Sequence, residues 1–191
     1  MHKSSRSIRW AVRLLRFRGW RSYGTRWQSE RILNRDQFRV RLMHSVANYL
    51  IIHKDSPINI GGANSGAETA TLALAEYLAK LGKRVVVAGQ IEGEVSELAG
   101  IEFWDLGESF DVVAAAERAR ELGEYHLISA GRAIPFFVFR NELQCKSKIL
   151  ISHDRSGNDT GVKPQVLSTL VERVVCVSNA QASVLHADGL P

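Results

Sequence analysis

The sequence predicts an α/β fold, a doubly wound and mostly parallel Rossmann-like sheet preceded by a basic helical extension. From residue 47 onward, short apolar runs alternate with stretches of helical spacing, as expected for strands joined by helices. Runs such as RVVVA and KILIS are almost wholly apolar, which is typical of parallel strands that are covered on both faces. Right-handed crossovers between such strands give a doubly wound sheet.

Six strands and five helices are predicted in this part of the chain. The strands are Tyr49–Ile52, Arg84–Ala88, Ile101–Leu106, His126–Ala130, Lys148–Ser152 and Val174–Val177. The helices are 66–81, 110–122, 134–143, 166–172 and 179–187. Because ligands of such sheets bind outside the carboxyl ends of the strands, the loops that follow the strands are the candidate binding segments.

Composition and charge divide the chain into two parts. Its 191 residues, 45% of them hydrophobic, can bury one substantial core. Residues 1–41 hold 12 lysines and arginines against two acidic residues, a net charge of +10, whereas residues 42–191 hold 13 against 18, a net charge of −5. We therefore expect a basic amphipathic extension over residues 1–45 and one Rossmann-like domain over residues 46–191. Because the basic charge is confined to the extension, no nucleic-acid partner is expected.

Residues 4–21 have the pattern of a basic amphipathic helix, for which an anionic membrane surface is the natural partner. Docking on a neighbouring domain and an organellar transit peptide stay open as alternatives. One face carries Arg6, Arg9, Arg13 and Arg16, and another carries Ile8, Ala11, Val12 and Leu15.

Cysteine usage and hydropathy indicate the compartment. No apolar run approaches the about 20 residues of a membrane span. Cys145 and Cys176 are the only two cysteines, and no signal peptide is evident, so a disulfide framework is not expected. These observations predict a cytoplasmic protein that binds peripherally to the inner face of the membrane.

The stretch Pro57–Gly82 reads as a glycine-rich loop followed by a helix. Ser65 and Glu68 predict a capping box, in which the serine accepts a bond from a first-turn amide and the glutamate reaches back to the serine amide. Gly82 predicts a left-handed end to the helix. Its apolar residues recur at the three- or four-residue spacing of a helix face: Ala70, Leu74, Leu78 and Leu81.

The start of this helix is a candidate anion site. The amides of Gly66 and Ala67 and the helix dipole attract a negative charge, although a core helix without a ligand is the alternative. A P-loop would need lysine and a hydroxyl where Ala67 and Glu68 stand. A dinucleotide fingerprint would need glycine at Ala63 and an acid near Gln90, so a nicotinamide or methyl-donor enzyme is only a third hypothesis.

The most polar loop is 153–164, HDRSGNDTGVKP, which begins with His153. A histidine at a strand end can serve as a general base, a donor to a sugar hydroxyl or an anion contact, and a surface or capping role is the alternative. Ser129 lacks the GxSxG elbow of a serine hydrolase. Four other histidines show no metal-ligand spacing: His44, His53, His126 and His186.

Three segments together resemble the N-terminal half of glycosyltransferase family 4, the retaining enzymes of GT-B fold. SGAETATLALAEYLAKLGKRVVVAG resembles the family's glycine, alanine and glutamate loop, its first helix and its second strand. KILISHD resembles the strand that ends in a cleft histidine, and VERVVCVSNAQASVLHADGLP resembles a later strand, helix and exit. The resemblance covers about residues 46–191.

This resemblance implies the acceptor-side half of a retaining enzyme that transfers a sugar from a nucleotide-diphosphate sugar, with neither metal nor other cofactor. Ser65, Gly66 and Ala67 would contact the donor diphosphate, and His153 would be the catalytic residue. The acceptor, a lipid, a polysaccharide or a small molecule, would meet the cleft loop that holds Asp154 and Arg155, and Arg132, at the tip of the preceding strand, is a looser match for an acceptor-side contact.

The same resemblance implies a second Rossmann domain that binds most of the nucleotide. The chain ends at Pro191, where that domain should begin. We therefore expect the partner domain in the same protein or in a separate chain, and we expect the 191 residues alone to be inactive. The alternative is a non-catalytic, membrane-associated binding module derived from such an enzyme.

Overall fold

The computed structural model describes residues 23–24, 48–54, 56–93, 95–130, 143–152, 166, 169–176 and 179–187. The helices of this part are α1 (Gly66–Lys80), α2 (Val112–Arg120) and α3 (Asn179–Ala187). The strands are β1 (Tyr23–Gly24), β2 (Asn48–His53), β3 (Ile58–Asn59), β4 (Val85–Gly89), β5 (Ile91–Glu92), β6 (Glu97–Leu98), β7 (Ile101–Asp105), β8 (Tyr125–Ala130), β9 (Ser147–Ser152) and β10 (Arg173–Cys176).

Eight of these strands form one mostly parallel sheet in the order β1, β10, β9, β8, β2, β4, β7, β6. The two-residue strands β1 and β6 pair antiparallel at its edges, and β3 and β5 form a separate parallel pair. Numbered along the chain, the six parallel strands lie in the order three, two, one, four, five, six. This order is compatible with a Rossmann-like fold, and the predicted α/β class and mostly parallel sheet are confirmed.

Helices cover both faces of the sheet because successive residues of a strand point to opposite faces. On one face, Tyr49 and Ile51 of β2 pack in a core that includes Leu78 of α1. On the other, Leu50 and Ile52 pack in a core that includes residues of α2 and α3. Strands buried on both faces need apolar residues throughout, which explains the continuous apolar runs of the sequence.

Helix α1 has the predicted end and part of the predicted buried face. Gly82 has φ of +72°, and the amide of Lys83 donates to the carbonyl of Leu78 at 3.2 Å, a bond of the Schellman motif. The buried face runs through Glu68, Thr71, Ala75 and Leu78. The predicted face agrees in part: Leu78 is buried and Leu74 packs against the core while partly buried, whereas Ala70 and Leu81 are partly exposed.

Three other predicted helices differ from the structure. Helix α2 is shorter than 110–122 because Phe110 has φ of +54° and Asp111 caps the helix. Leu143 is not helical, and the rest of 134–143 lies outside the described residues. Of 166–172, residues 166, 169 and 170 are helical, whereas Val171 and Glu172 are not. The prediction for 179–187 is confirmed.

The predicted amphipathic segment 4–21 lies outside the described residues. Nearby, Tyr23 and Gly24 pair with Val174 and Arg173 of β10, an edge strand that was not predicted. Among the helices of the described residues, none has the length and the apolar character needed to cross a bilayer.

Candidate functional site

The candidate site lies at the carboxyl end of β2. This strand pairs with β8 on one side and β4 on the other, and His53 at its end is in register with Ala130 at the end of β8. The first three parallel strands run outward from β2 on one side and the last three on the other. In open α/β sheets, ligands bind at the carboxyl edge where the strand order reverses in this way.

The loop between β2 and α1 is fixed by its own hydrogen bonds and by the segment after β4. The amide of Asn59 donates to Oδ1 of Asn64 at 2.8 Å, and Nδ2 of Asn64 donates to the Asn59 carbonyl at 2.8 Å. The amide of Ile58 donates to the Gln90 carbonyl at 2.8 Å. A Cβ at Gly62 would lie 2.2 Å from Oδ1 of Asn59, so loop packing explains this glycine.

A polar cluster of His53, Ser56, Ser65, Glu68 and Thr71 joins the end of β2 to the first turns of α1; His53, Glu68 and Thr71 are buried, whereas Ser56 and Ser65 are exposed. Nε2 of His53 lies 3.3 Å from Oε1 of Glu68, and its Nδ1 lies 3.2 Å from Oγ1 of Thr71. Ser56 donates to Oε1 of Glu68 and Ser65 donates to Oε2. His53 is 0% and Glu68 is 1% exposed, so the contact between these two side chains is shielded from water.

Hydrogen bonds keep the buried carboxylate charged. Burial on its own raises the pKa of Glu68, but hydrogen bonds from Ser56, Ser65 and its own amide, together with His53, outweigh burial and lower the pKa to about 2. Glu68 is therefore ionised at neutral pH and accepts hydrogen bonds only. It follows that Nε2 of His53 carries the proton directed at Glu68.

The predicted capping box is wrong in its chemistry. Ser65 is the N-cap residue, but its side chain makes no capping bond to a backbone amide. Its hydroxyl instead donates to the glutamate of the pair, Glu68. The two residues are in contact as predicted, yet the serine does not cover the helix terminus.

The first two amides of α1 are open. Within the described part of the chain, the amides of Gly66 and Ala67 have no hydrogen-bond acceptor. Ser65 and Gly66 are exposed, and a Cβ added at Gly66 would meet nothing within 4 Å. Packing therefore does not explain the glycine at position 66, and the terminus can receive an anion or a hydroxyl group.

The cluster supports this terminus, because His53 at the end of β2 contacts both Glu68 and Thr71 of α1. A carboxylate with a pKa of about 2 is a weak base, and efficient general bases have a pKa near the working pH. His53, which is fully buried, does not reach the surface where a substrate would bind. The arrangement therefore holds the start of α1 against β2 and places one negative charge behind it.

Comparisons of the chain with protein-family models, with curated proteins and with solved structures gave no match. Within the described ranges, no three histidine, cysteine, aspartate or glutamate side chains are grouped so that they could hold a metal ion.

The structure brings together Ser65, Gly66 and Ala67 at the start of α1. The other predicted site residues lie outside the described residues: Arg132, His153, Asp154 and Arg155.

Sequence reasoning missed His53, Ser56 and Thr71. One available signal was that β2, like the strand before His153, is an apolar run followed by histidine and a polar loop. Another was that Thr71 shares a helix face with Glu68, Ala75 and Leu78.

Proposed function

We propose that this chain is the acceptor-side half of a retaining glycosyltransferase that uses a nucleotide-diphosphate sugar. The observation that carries the proposal is the pair of open amides, Gly66 and Ala67, at the start of the helix that follows the central strand β2. They lie at the edge of the sheet where ligands of such folds bind, and the glycine has no packing role.

In the proposed reaction, this helix terminus stabilises the diphosphate that leaves the sugar. Amides aimed at a developing negative charge lower the barrier because they need no reorganisation during the reaction. A helix terminus contributes about 0.3–1 kcal/mol for an exposed anion, so these contacts alone give millimolar binding or weaker. In the proposal, a second domain supplies the remaining nucleotide contacts, and His153 with Arg132, Asp154 and Arg155 lines the acceptor side.

The decisive experiment is a nuclear magnetic resonance titration of the 191-residue chain with several nucleotide-diphosphate sugars. We expect concentration-dependent shifts at the amides of Gly66 and Ala67, and we expect Gly66→Ala to weaken this binding several-fold because the added methyl group keeps the diphosphate from the backbone. Gly82→Ala, at the other end of α1, is the matched control and should leave binding unchanged. Because such weak binding saturates only at high concentration, the titration extends to about 200 mM ligand, and an absence of shifts there would contradict the proposed donor site.

An anionic membrane surface is the proposed partner of the basic segment 4–21. The segregated arginine face and the net charge of +10 over residues 1–41 support it, since each basic residue near such a surface contributes about 1 kcal/mol. In a sedimentation assay with phosphatidylserine vesicles, the whole chain should pellet with the vesicles, and a chain that lacks residues 1–22 should stay in the supernatant. Equal sedimentation of both chains would remove this part of the proposal.

A second candidate, a non-catalytic binding module, is favoured by the ionised Glu68 behind the open amides. This charge opposes the anion that the donor site must hold. Turnover by the chain together with its second domain separates the two candidates, because a binding module would bind ligand without transferring sugar.

A further inference from the structure

We propose that residues 25–47 of this chain dock on one face of β8, β9 and β10 and complete the core there. This surface, the β8–β10 face, carries Ile128, Ile149 and Val175. The inference assigns an occupant to an interaction surface, and it is independent of the donor site proposed above.

The β8–β10 face is apolar and closed to solvent. Ile51 of β2 is in register with Ile128 of β8, and Ile128 is in register with Ile149 of β9. Val175 of β10 is in register with Ile151, two residues after Ile149 and therefore on the same face. Ile128 is 4% exposed, and Ile149 and Val175 are each 8% exposed. Other residues of the chain therefore pack against these strands.

The described helices do not supply this packing. In the core that contains the β8–β10 face, the described helical residues all belong to α1, and α1 packs mainly against β2, β4 and β7. Three neighbouring strands span about 10 Å, which is about the width of one helix. The buried residues of α2 and α3 pack in the core on the other side of the sheet.

The handedness of the connections also directs the later segments to that other side. The connection from β2 to β4 places α1 on the side of Ile51. The connections from β8 to β9 and from β9 to β10 run in the opposite direction across the sheet, so right-handed crossovers place them on the opposite side. Helix α2, between β7 and β8, follows this rule, as do Leu170 and Val171 before β10.

Residues 25–47 start and end on the two sides of the β8–β10 face. Strand β1 is antiparallel to β10, so Gly24 lies beside Arg173, the first residue of β10, and β2 begins at Asn48. Both ends of the segment therefore lie at the amino edge of the sheet, with β10, β9 and β8 between them. The distance to cross is about 19 Å, and a helix that rises about 1.5 Å per residue can cross it.

The sequence of this segment fits an apolar surface. Phe38, Leu42 and Val46 recur at the four-residue spacing of one helix face, whereas Gln37 and His44 fall on the opposite side. Such a helix would bury its apolar side chains against the β8–β10 face and present its polar side to solvent. The Rossmann-like domain would then begin near β1 rather than at residue 46.

The test locates the contacts of the β8–β10 face in the full 191-residue chain by nuclear magnetic resonance. We expect nuclear Overhauser effects from the methyl groups of Ile149 and Val175 to the side chains of Phe38, Leu42 and Val46. A mixture of differently labelled chains should show no such effects between chains.

Two substitutions that each introduce one carboxylate test the orientation of the segment. Leu42→Asp would bury an unpartnered charge, so we expect its midpoint of urea denaturation to fall by at least about 1 M. Gln37→Asp, on the opposite side of the same predicted helix, is the matched control and should keep the wild-type midpoint.

Three results would overturn the proposal. Overhauser effects from Ile149 and Val175 only to residues outside 25–47 would give the β8–β10 face another occupant, and effects only between chains would give it to a second copy. Equal midpoints for Leu42→Asp and the wild type would show that Leu42 is not buried. If Leu42→Asp fails to fold, the contacts measured in the wild-type chain still decide.

Discussion

Two of the described helices that start at the carboxyl edge of the sheet, α1 and α2, have an acidic side chain at their N-terminus, but they use it differently. In α2, the exposed Asp111 is the cap residue, and its Oδ1 accepts from the amide of Ala114 at 2.9 Å. In α1, the cap residue is Ser65, which makes no capping bond, while the acid is the buried Glu68 in the first turn. Its known partners are mainly side chains, those of His53, Ser56 and Ser65.

This difference shows that an acid at a helix terminus has two roles. An acid in the cap position satisfies backbone amides and closes the terminus. An acid buried behind the first turn leaves the backbone amides of Gly66 and Ala67 without an acceptor. It also makes the electrostatic potential at these amides more negative. The two starts therefore differ in one capped amide, that of Ala114 in α2. Within the described part of the chain the Val113 amide of α2 has no acceptor either, like those of Gly66 and Ala67 in α1.

The largest effect is expected from Glu68→Ala. This substitution leaves the buried Nε2–H of His53 without its acceptor, so we expect the free energy of unfolding to fall by about 4 kcal/mol. The measurement is urea denaturation at pH 7. A loss below about 1 kcal/mol would mean that Glu68 behaves like an exposed charge and that the two helix starts are alike.

A slightly smaller loss of stability is expected when the pH is lowered. The folded-state pKa of Glu68, about 2, lies below the ordinary value of 4.5. Its contribution to stability is therefore complete above pH 4.5 and disappears as the pH falls towards 2, a change of about 3 kcal/mol. Comparison with Glu68→Gln isolates this group, and the difference between the two unfolding free energies should shrink steadily from pH 5 to pH 2.5. A constant difference would contradict the low pKa.

Asp111→Ala tests the closed terminus of α2. Loss of an N-cap acid costs about 1 kcal/mol, and the exposed position of Asp111 allows water to replace it, so no larger loss is expected. Asp111→Asn is the control, because asparagine caps nearly as well as aspartate. If both variants lose equal stability in urea denaturation, the charge rather than the hydrogen bond to Ala114 stabilises this helix.

Much of this fold was predictable because buried parallel strands must be apolar throughout. The predicted runs for β2 and β4 differ from the observed strands by one residue at each end. The two-residue strands β3 and β5 were not predictable, because they exist only through the pairing of two loops that are distant in sequence. Their residues follow no periodic pattern of their own.

The candidate site was predictable in its location but not in its chemistry. The spacing of Ser65 and Glu68 correctly indicated that the two residues are in contact. It did not reveal that the end of β2 and His53 bury the glutamate, because that depends on how α1 packs against the sheet. The capping rule expects the serine to accept from a backbone amide, whereas the hydroxyl of Ser65 donates to the carboxylate of Glu68.

The smallest effect is expected from Gly66→Ala, which tests whether the open terminus of α1 has a role in folding. The added methyl group meets nothing within 4 Å, and alanine is favoured over glycine in helices by up to about 1 kcal/mol, so stability should be unchanged or rise slightly. Val113→Ala, in the first turn of α2 and 64% exposed, is the matched control and should change stability by less than about 0.5 kcal/mol. Both are measured by urea denaturation. A clear loss in Gly66→Ala alone would give this glycine a structural role and would remove the main reason for assigning it to a ligand.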